Sequence, residues 1–147
     1  MIKDDREFKS RLSALPVADQ RLLAMQFVLR VFPLSNDMRL KNAIETSQRK
    51  GVTEAELASA FQIANTARVE SFTRCGRETD WTAQAGHFVA KAAVACVRPA
   101  DEGDNLAWDA AMSARMARTC ETVATGEGTG NNEAEEQYRI LEAFINN

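Results

Sequence analysis

Apolar residues recur along the chain in steps of three and four, the period of helices that each bury one face, and no stretch alternates as a strand would. Two segments build that pattern from small residues: Ala83, Gly86, Ala90, Ala93 and Val97 in one, Ala107, Ala110, Ala114, Ala117 and Ala124 in the other. Each ladder keeps to one helical face, and small side chains let two helices approach more closely than leucines would. The short connector between them predicts a tight antiparallel pair.

Start and stop signals divide the chain into about seven helices. Asp4 or Asp5 opens a first helix running to Leu15. Pro16 restarts the chain, and the apolar run over 17–32 predicts a helix buried over most of its circumference, ended by Pro33. Asn36 is read as the N-cap of a third helix, Asp37 to Lys50, with Gly51 as its stop. Thr53 and Glu56 have the capping-box spacing at the head of a fourth, which reaches Arg74. A polar connector over 75–79 leads to Asp80, the expected cap of a fifth helix bounded by Pro99. After an acidic turn at 101–104, a sixth helix extends to Ala124. A glycine-rich stretch over 125–132 reads as a flexible loop, and a C-terminal helix over 133–145 presents Tyr138, Leu141, Phe144 and Ile145 for docking. The expectation is an all-α, single-domain antiparallel bundle spanning 1–147.

With 147 residues and a formal charge of −3, the chain has no surplus of Lys and Arg for general binding to a nucleic acid backbone; a basic partner suits it better. No run has the length of a membrane span, and Met1-Ile2-Lys3-Asp4-Asp5 does not read as a signal peptide. Cys75, Cys96 and Cys120 are odd in number and lack C-x-x-C spacing, which favours a reduced, cytoplasmic setting.

Candidate chemistry is sparse. His87 is the single histidine, so a three-His zinc site is impossible, and it has no carboxylate at i±4 to form a helical metal clip. No nucleophile-elbow motif accompanies it. The loop at Gly126, Gly128 and Gly130 lacks the Lys-Ser or Lys-Thr of a phosphate cradle. The helix pair around Gly51 could suggest DNA recognition, but Glu54 and Glu56 head the second helix where phosphates would lie. That stretch also looks like the helix pair of alkylhydroperoxidase-type proteins, yet the cysteine pair and histidine such a mechanism uses are missing just upstream. Glu133, Glu135 and Glu136 read as a solvated, dipole-favoured helix start. Gln84, His87, Lys91 and Arg98 form one polar stripe on the fifth helix. Trp81 and Trp108, near the starts of the two small-residue helices, are read as plugs for opposite ends of the bundle or as partner anchors.

A longer constellation is more informative. Val31-Phe32-Pro33-Leu34 is followed by Asn36-Asp37-Met38-Arg39, then Ala43-Ile44-Glu45, the helix-ending Gly51, a helix carrying Arg68, and Ala85-Gly86-His87 ahead of alanine-rich helices. This order, over about residues 17–124, resembles the small helical immunity proteins of bacterial polymorphic toxin systems. Two features depart from that pattern: the tryptophan common before the helix-ending glycine is replaced by Gln48-Arg49-Lys50, and Val94 and Cys96 stand where further histidines are common. The resemblance implies a cytoplasmic bacterial protein, without cofactor or catalysis, that occludes a toxin, here a basic one. It directs attention to Asp37, Arg39 and Glu45, with Arg68 and His87 as members of one internal polar network and Lys91 beside them. The competing expectations are a small-molecule or catalytic pocket around His87, and a homo-oligomer held through the 17–32 helix or the last helix.

Overall fold

The computed structural model describes residues 1–75 and 80–147, so the connector expected at 75–79 lies, apart from Cys75, outside the described residues. Seven α-helices are present among them, with no strand: α1 Asp5–Ser13, α2 Val17–Val31, α3 Arg39–Gln48, α4 Glu54–Cys75, α5 Trp81–Val97, α6 Leu106–Ala124 and α7 Glu133–Ile145, with a 3-10 turn over Phe32–Leu34 after α2. The all-helical bundle expected from the periodicity is the observed fold. None of these helices is long and apolar enough to cross a membrane.

Local chemistry sets most of the helix starts. Asp4 Oδ1 accepts from Glu7 N at 2.9 Å, Asp80 Oδ1 from Ala83 N at 3.1 Å, and Asn105 Oδ1 from Trp108 N at 3.1 Å. Thr53 and Glu56 close a reciprocal capping box, with Glu56 N donating to Thr53 Oγ1 at 3.1 Å and Thr53 N to Glu56 Oε1 at 3.0 Å. One expected cap is wrong. Helix α3 begins at Arg39, two residues later than predicted, because Asp37 turns its side chain onto Arg39 N at 3.0 Å and Asn36 caps nothing.

The small-residue helices α5 and α6 form the most extensive pairing of the bundle, with α4 and α2 packed on them. Ala90, Ala93 and Val97 of α5 and Ala110, Ala114 and Ala117 of α6 are all buried in one apolar cluster shared with α2, α3 and α4. The ladders end sooner than expected, since Ala83 is only half-buried and Ala124 is exposed. Gly86 is not at the close approach either: a Cβ there would meet the Leu34 carbonyl at 3.8 Å, an ordinary contact. A second cluster gathers Phe8, Leu12, Leu23, Phe27, Ala107, Ala111 and Leu141 from α1, α2, α6 and α7. Phe8 is its hub, with ring centroids 5.8 Å from Phe27, 6.1 Å from Trp108 and 5.1 Å from Tyr138.

Two polar features overturn the sequence reading. Helix α2 buries Gln20 and Arg21 while leaving Val17 and Leu29 exposed, so it is not apolar all round. Glu133, expected in solvent, is 0% exposed. Its carboxylate takes Arg30 Nε at 2.7 Å and Arg118 Nε at 3.1 Å, tying α7 to α2 and α6. Gln137, one turn on, is buried too; it accepts from Arg115 Nε at 2.7 Å and donates to Ala111 O at 3.0 Å. The acidic start of α7 is therefore part docking surface, with only Glu135 fully in water.

Candidate functional site

The candidate site is a groove of about 1130 Å³ bounded by the Pro33–Leu40 segment, the C-terminal half of α4, the first turns of α5 and the end of α6. Its position follows from the sequence upward. Pro33 ends α2 in a 3-10 turn that packs on α5, and Ser35 Oγ and the Asp37 carboxylate each take a backbone N–H before α3 begins.

Arg39 is the centre of this groove. Its Nε and Nη2 donate to Asp37 at 2.9 and 2.6 Å, and Nη2 also reaches Glu70 Oε2 on α4 at 2.7 Å. The hydrogen bonds that Arg39 donates to Asp37, then to Glu70, raise its pKa above the ordinary value. The expected reach from Arg39 to a neighbouring helix is thus present, with Glu70 as the partner. Glu45 does not join it: that side chain is exposed on α3 and faces Lys41 at 3.9 Å, because the late start of α3 leaves Asp37 outside the helix that carries Glu45.

Arg68 and His87 form a separate group. Arg68 Nε donates to Asn65 Oδ1 at 2.9 Å along its own helix. Ser71 Oγ donates to the Arg68 carbonyl at 2.8 Å and lies 2.8 Å from His87 Nδ1. Burial, then the Lys91 and Arg68 charges, lower the His87 pKa against a hydrogen bond to the Arg68 backbone. Phe72 and Phe88 flank it at 5.6 and 5.7 Å, and Lys91 Nζ sits 5.5 Å over the Phe88 ring.

The single internal network expected from Asp37 through His87 is therefore two networks, which meet along α4 at the consecutive residues Glu70 and Ser71. As chemistry, the Ser71–His87 contact is poorly arranged for acyl transfer. The Ser71 hydroxyl is shared between the imidazole and the Arg68 carbonyl, and no described carboxylate is hydrogen-bonded to the ring. Nor does any group of three or more His, Cys, Asp and Glu side chains among the described residues have the placement to hold a metal ion.

Large apolar side chains are exposed in the groove lining at Met38 and, outside the lining, at residues next to it in sequence. Met38 is 64% exposed; Phe72, adjoining the lining residue Ser71 in sequence, is 68% exposed; and Val69 and Trp81, adjoining Glu70 and Asp80, are exposed. Trp108 belongs elsewhere, packed on Phe8 with Lys9 Nζ 5.1 Å over its ring. Met38, Glu70, Ser71 and Phe72 escaped the sequence reading. The available signal was Val69 and Phe72, spaced by three on α4 and not needed by the Leu57, Phe61, Ala64 and Ala67 stripe.

No family model, curated protein or solved structure matches the chain.

Proposed function

We propose that this chain is a non-catalytic protein-binding protein of the immunity type, acting in the bacterial cytoplasm, whose groove and exposed apolar side chains cover the active surface of a basic toxin. The observation that carries this reading is the groove with Met38, 64% exposed, in its lining, together with exposed Val69 and Phe72 on α4 and Trp81 at the head of α5. Large side chains left in water suit a hot-spot patch that a partner desolvates. Among the described lining residues, Asp37, Glu70, Asp80 and Glu121 supply carboxylates and Arg39 the guanidinium, a rim suited to a basic partner. The motifs that suggested an immunity protein run through the same segments, Asn36 to Arg39 and Ala85 to His87. Cys96 is a buried free thiol, which agrees with a reducing compartment. His87 and Lys91 line neither this groove nor the second cleft described below, an arrangement that favours a binder over a catalyst built on them.

The test is a three-bait capture from lysate of the source organism, comparing the wild-type protein, a Phe72→Ser/Trp81→Ser variant, and Lys50→Glu as a distant control. The expected result is one protein bound stoichiometrically by the wild type and the control and lost by the double variant. Identical captures by all three baits would remove Phe72 and Trp81 from the binding surface, and an unchanged capture by a fourth bait, Met38→Asp, which alters the lining, would remove the groove. A concentration-dependent doubling of mass, abolished by Phe72→Ser, would assign the same face to a homodimer instead.

A further inference from the structure

A second cleft, of about 810 Å³, lies between the first turns of α2, the end of α3 with its turn into α4, and the residues around Pro99 that follow α5. Arg21 lines it and is only 8% exposed. Its Nη1 donates to the carbonyls of Cys96 and Arg98 at 2.9 and 3.0 Å, which fastens the C-terminal end of α5. That role uses the two N–H bonds on Nη1 and leaves the Nε–Nη2 edge with no protein acceptor. No described side-chain nitrogen or oxygen is both sealed from solvent and unpaired, so this free edge touches solvent, and the cleft is the pocket that Arg21 lines.

No carboxylate pairs with Arg21, and a buried cation without a counter-charge is costly. Burial, opposed by Cys96 and aided by a smaller repulsion from Arg98, holds its pKa below the ordinary value, and a guanidinium stays charged. Glu54 lines the cleft as well, on the exposed first turn of α4, and the other charged and dipolar groups around it favour an anion. Helix α2 starts at this cleft with Val17 and Ala18 in its wall, and Pro16 leaves that end without a side-chain cap. Lys50 stands on the rim, exposed and without an ion pair, and Arg49 is beside it, paired with Glu56 at 2.9 Å. Leu22, Val52, Leu57 and Val97 supply an apolar wall.

We infer that this cleft binds a small organic carboxylate with an apolar body, its two oxygens on the Nε–Nη2 edge of Arg21 and its hydrocarbon along Leu22, Val52, Leu57 and Val97. A guanidinium edge presents two parallel N–H bonds spaced for the two oxygens of a carboxylate, and clefts of this size commonly hold small ligands. The site is separate from the groove assigned to a protein partner, and either assignment can fail without the other.

The probe is octanoate, titrated calorimetrically into the full chain at pH 7, with 1-octanol and acetate as the partial probes. One-to-one binding of octanoate is expected, at least about tenfold tighter than either partial probe, since one lacks the charge and the other the apolar body. Arg21→Gln should abolish the preference for octanoate over octanol. Because Arg21 also fastens α5, two variants outside the fold's buried contacts decide the matter if that protein does not fold: Lys50→Glu should weaken octanoate about threefold, and Val52→Trp, which fills the cleft, should remove binding. Equal affinity for octanol and octanoate, absence of any octanoate binding, or full binding by Val52→Trp would overturn the inference.

Discussion

Removing the carboxylate of Glu133 should be among the most damaging single changes to this bundle. The side chain is 0% exposed and serves two guanidiniums, accepting from Arg30 Nε at 2.7 Å and Nη2 at 3.2 Å and from Arg118 Nε at 3.1 Å. Breaking a buried pair from one side typically costs about 3–5 kcal/mol, because the remaining charge stays desolvated. Here the abandoned cations have some relief. Their side chains are 31% and 21% exposed, Arg118 keeps Glu121 at 2.9 Å, and Arg30 lies 3.9 Å from Glu136. That places Glu133→Ala near the lower end, about 3 kcal/mol, and Glu133→Gln, which keeps the volume but turns an amide donor toward a guanidinium, at about 2 kcal/mol.

Urea unfolding followed by circular dichroism measures this directly. With a slope of about 2 kcal/mol per molar, the alanine variant should lose about 1.5 M in its midpoint at unchanged slope. Glu135→Ala, exposed two residues away, is the control and should stay within about 0.5 kcal/mol of wild type. One molar NaCl should leave the difference between the two variants largely intact, since buried pairs are poorly screened. A Glu133→Ala midpoint indistinguishable from that of Glu135→Ala would mean that α7 is not held by this carboxylate.

Three further changes probe other parts of the argument. Ala114→Leu puts a large side chain where α5 and α6 meet at a fully buried position and should cost about 1–3 kcal/mol in thermal melts; an unchanged melting temperature would show the pair to be loosely packed. Gly86→Ala should be neutral or stabilising by up to about 1 kcal/mol, because the added Cβ finds only the Leu34 carbonyl at 3.8 Å, and a loss of stability would show a closer approach there. The unfolded chain protonates His87 near its ordinary value of 6.5, whereas the folded protein holds it lower. The stability associated with His87 is therefore present above that value and lost as pH falls below it, so His87→Gln should flatten the decline in denaturation midpoint between about pH 7 and 5; parallel declines in the two proteins would refute that.

Features fixed within one turn of helix were the legible ones. The Thr53–Glu56 box, the Asp80 cap and the ladder of Ala90, Ala93, Ala110, Ala114 and Ala117 each depend on spacings of three or four residues, and each is present. The start of α3 failed because Asn36 and Asp37 are both competent caps, and the choice between them was made by the turn that Pro33 and Ser35 impose. Glu133 and Glu135 are indistinguishable in sequence, both acidic residues in a first turn. What separates them is the rotation of α7 against α2 and α6, where Arg30 and Arg118 converge from positions 103 and 15 residues away. The same reasoning accounts for Arg39, whose helix-bridging role was readable while its partner Glu70, 31 residues distant, was not. It also accounts for Arg21, which sits in an apolar run and gave no sign of a buried charge facing a cleft. Patterning of one chain locates the face that is buried, but a buried charge is specified by the element that comes to meet it. The polar groups on which both functional proposals rest were consequently the part of this molecule least accessible from its sequence.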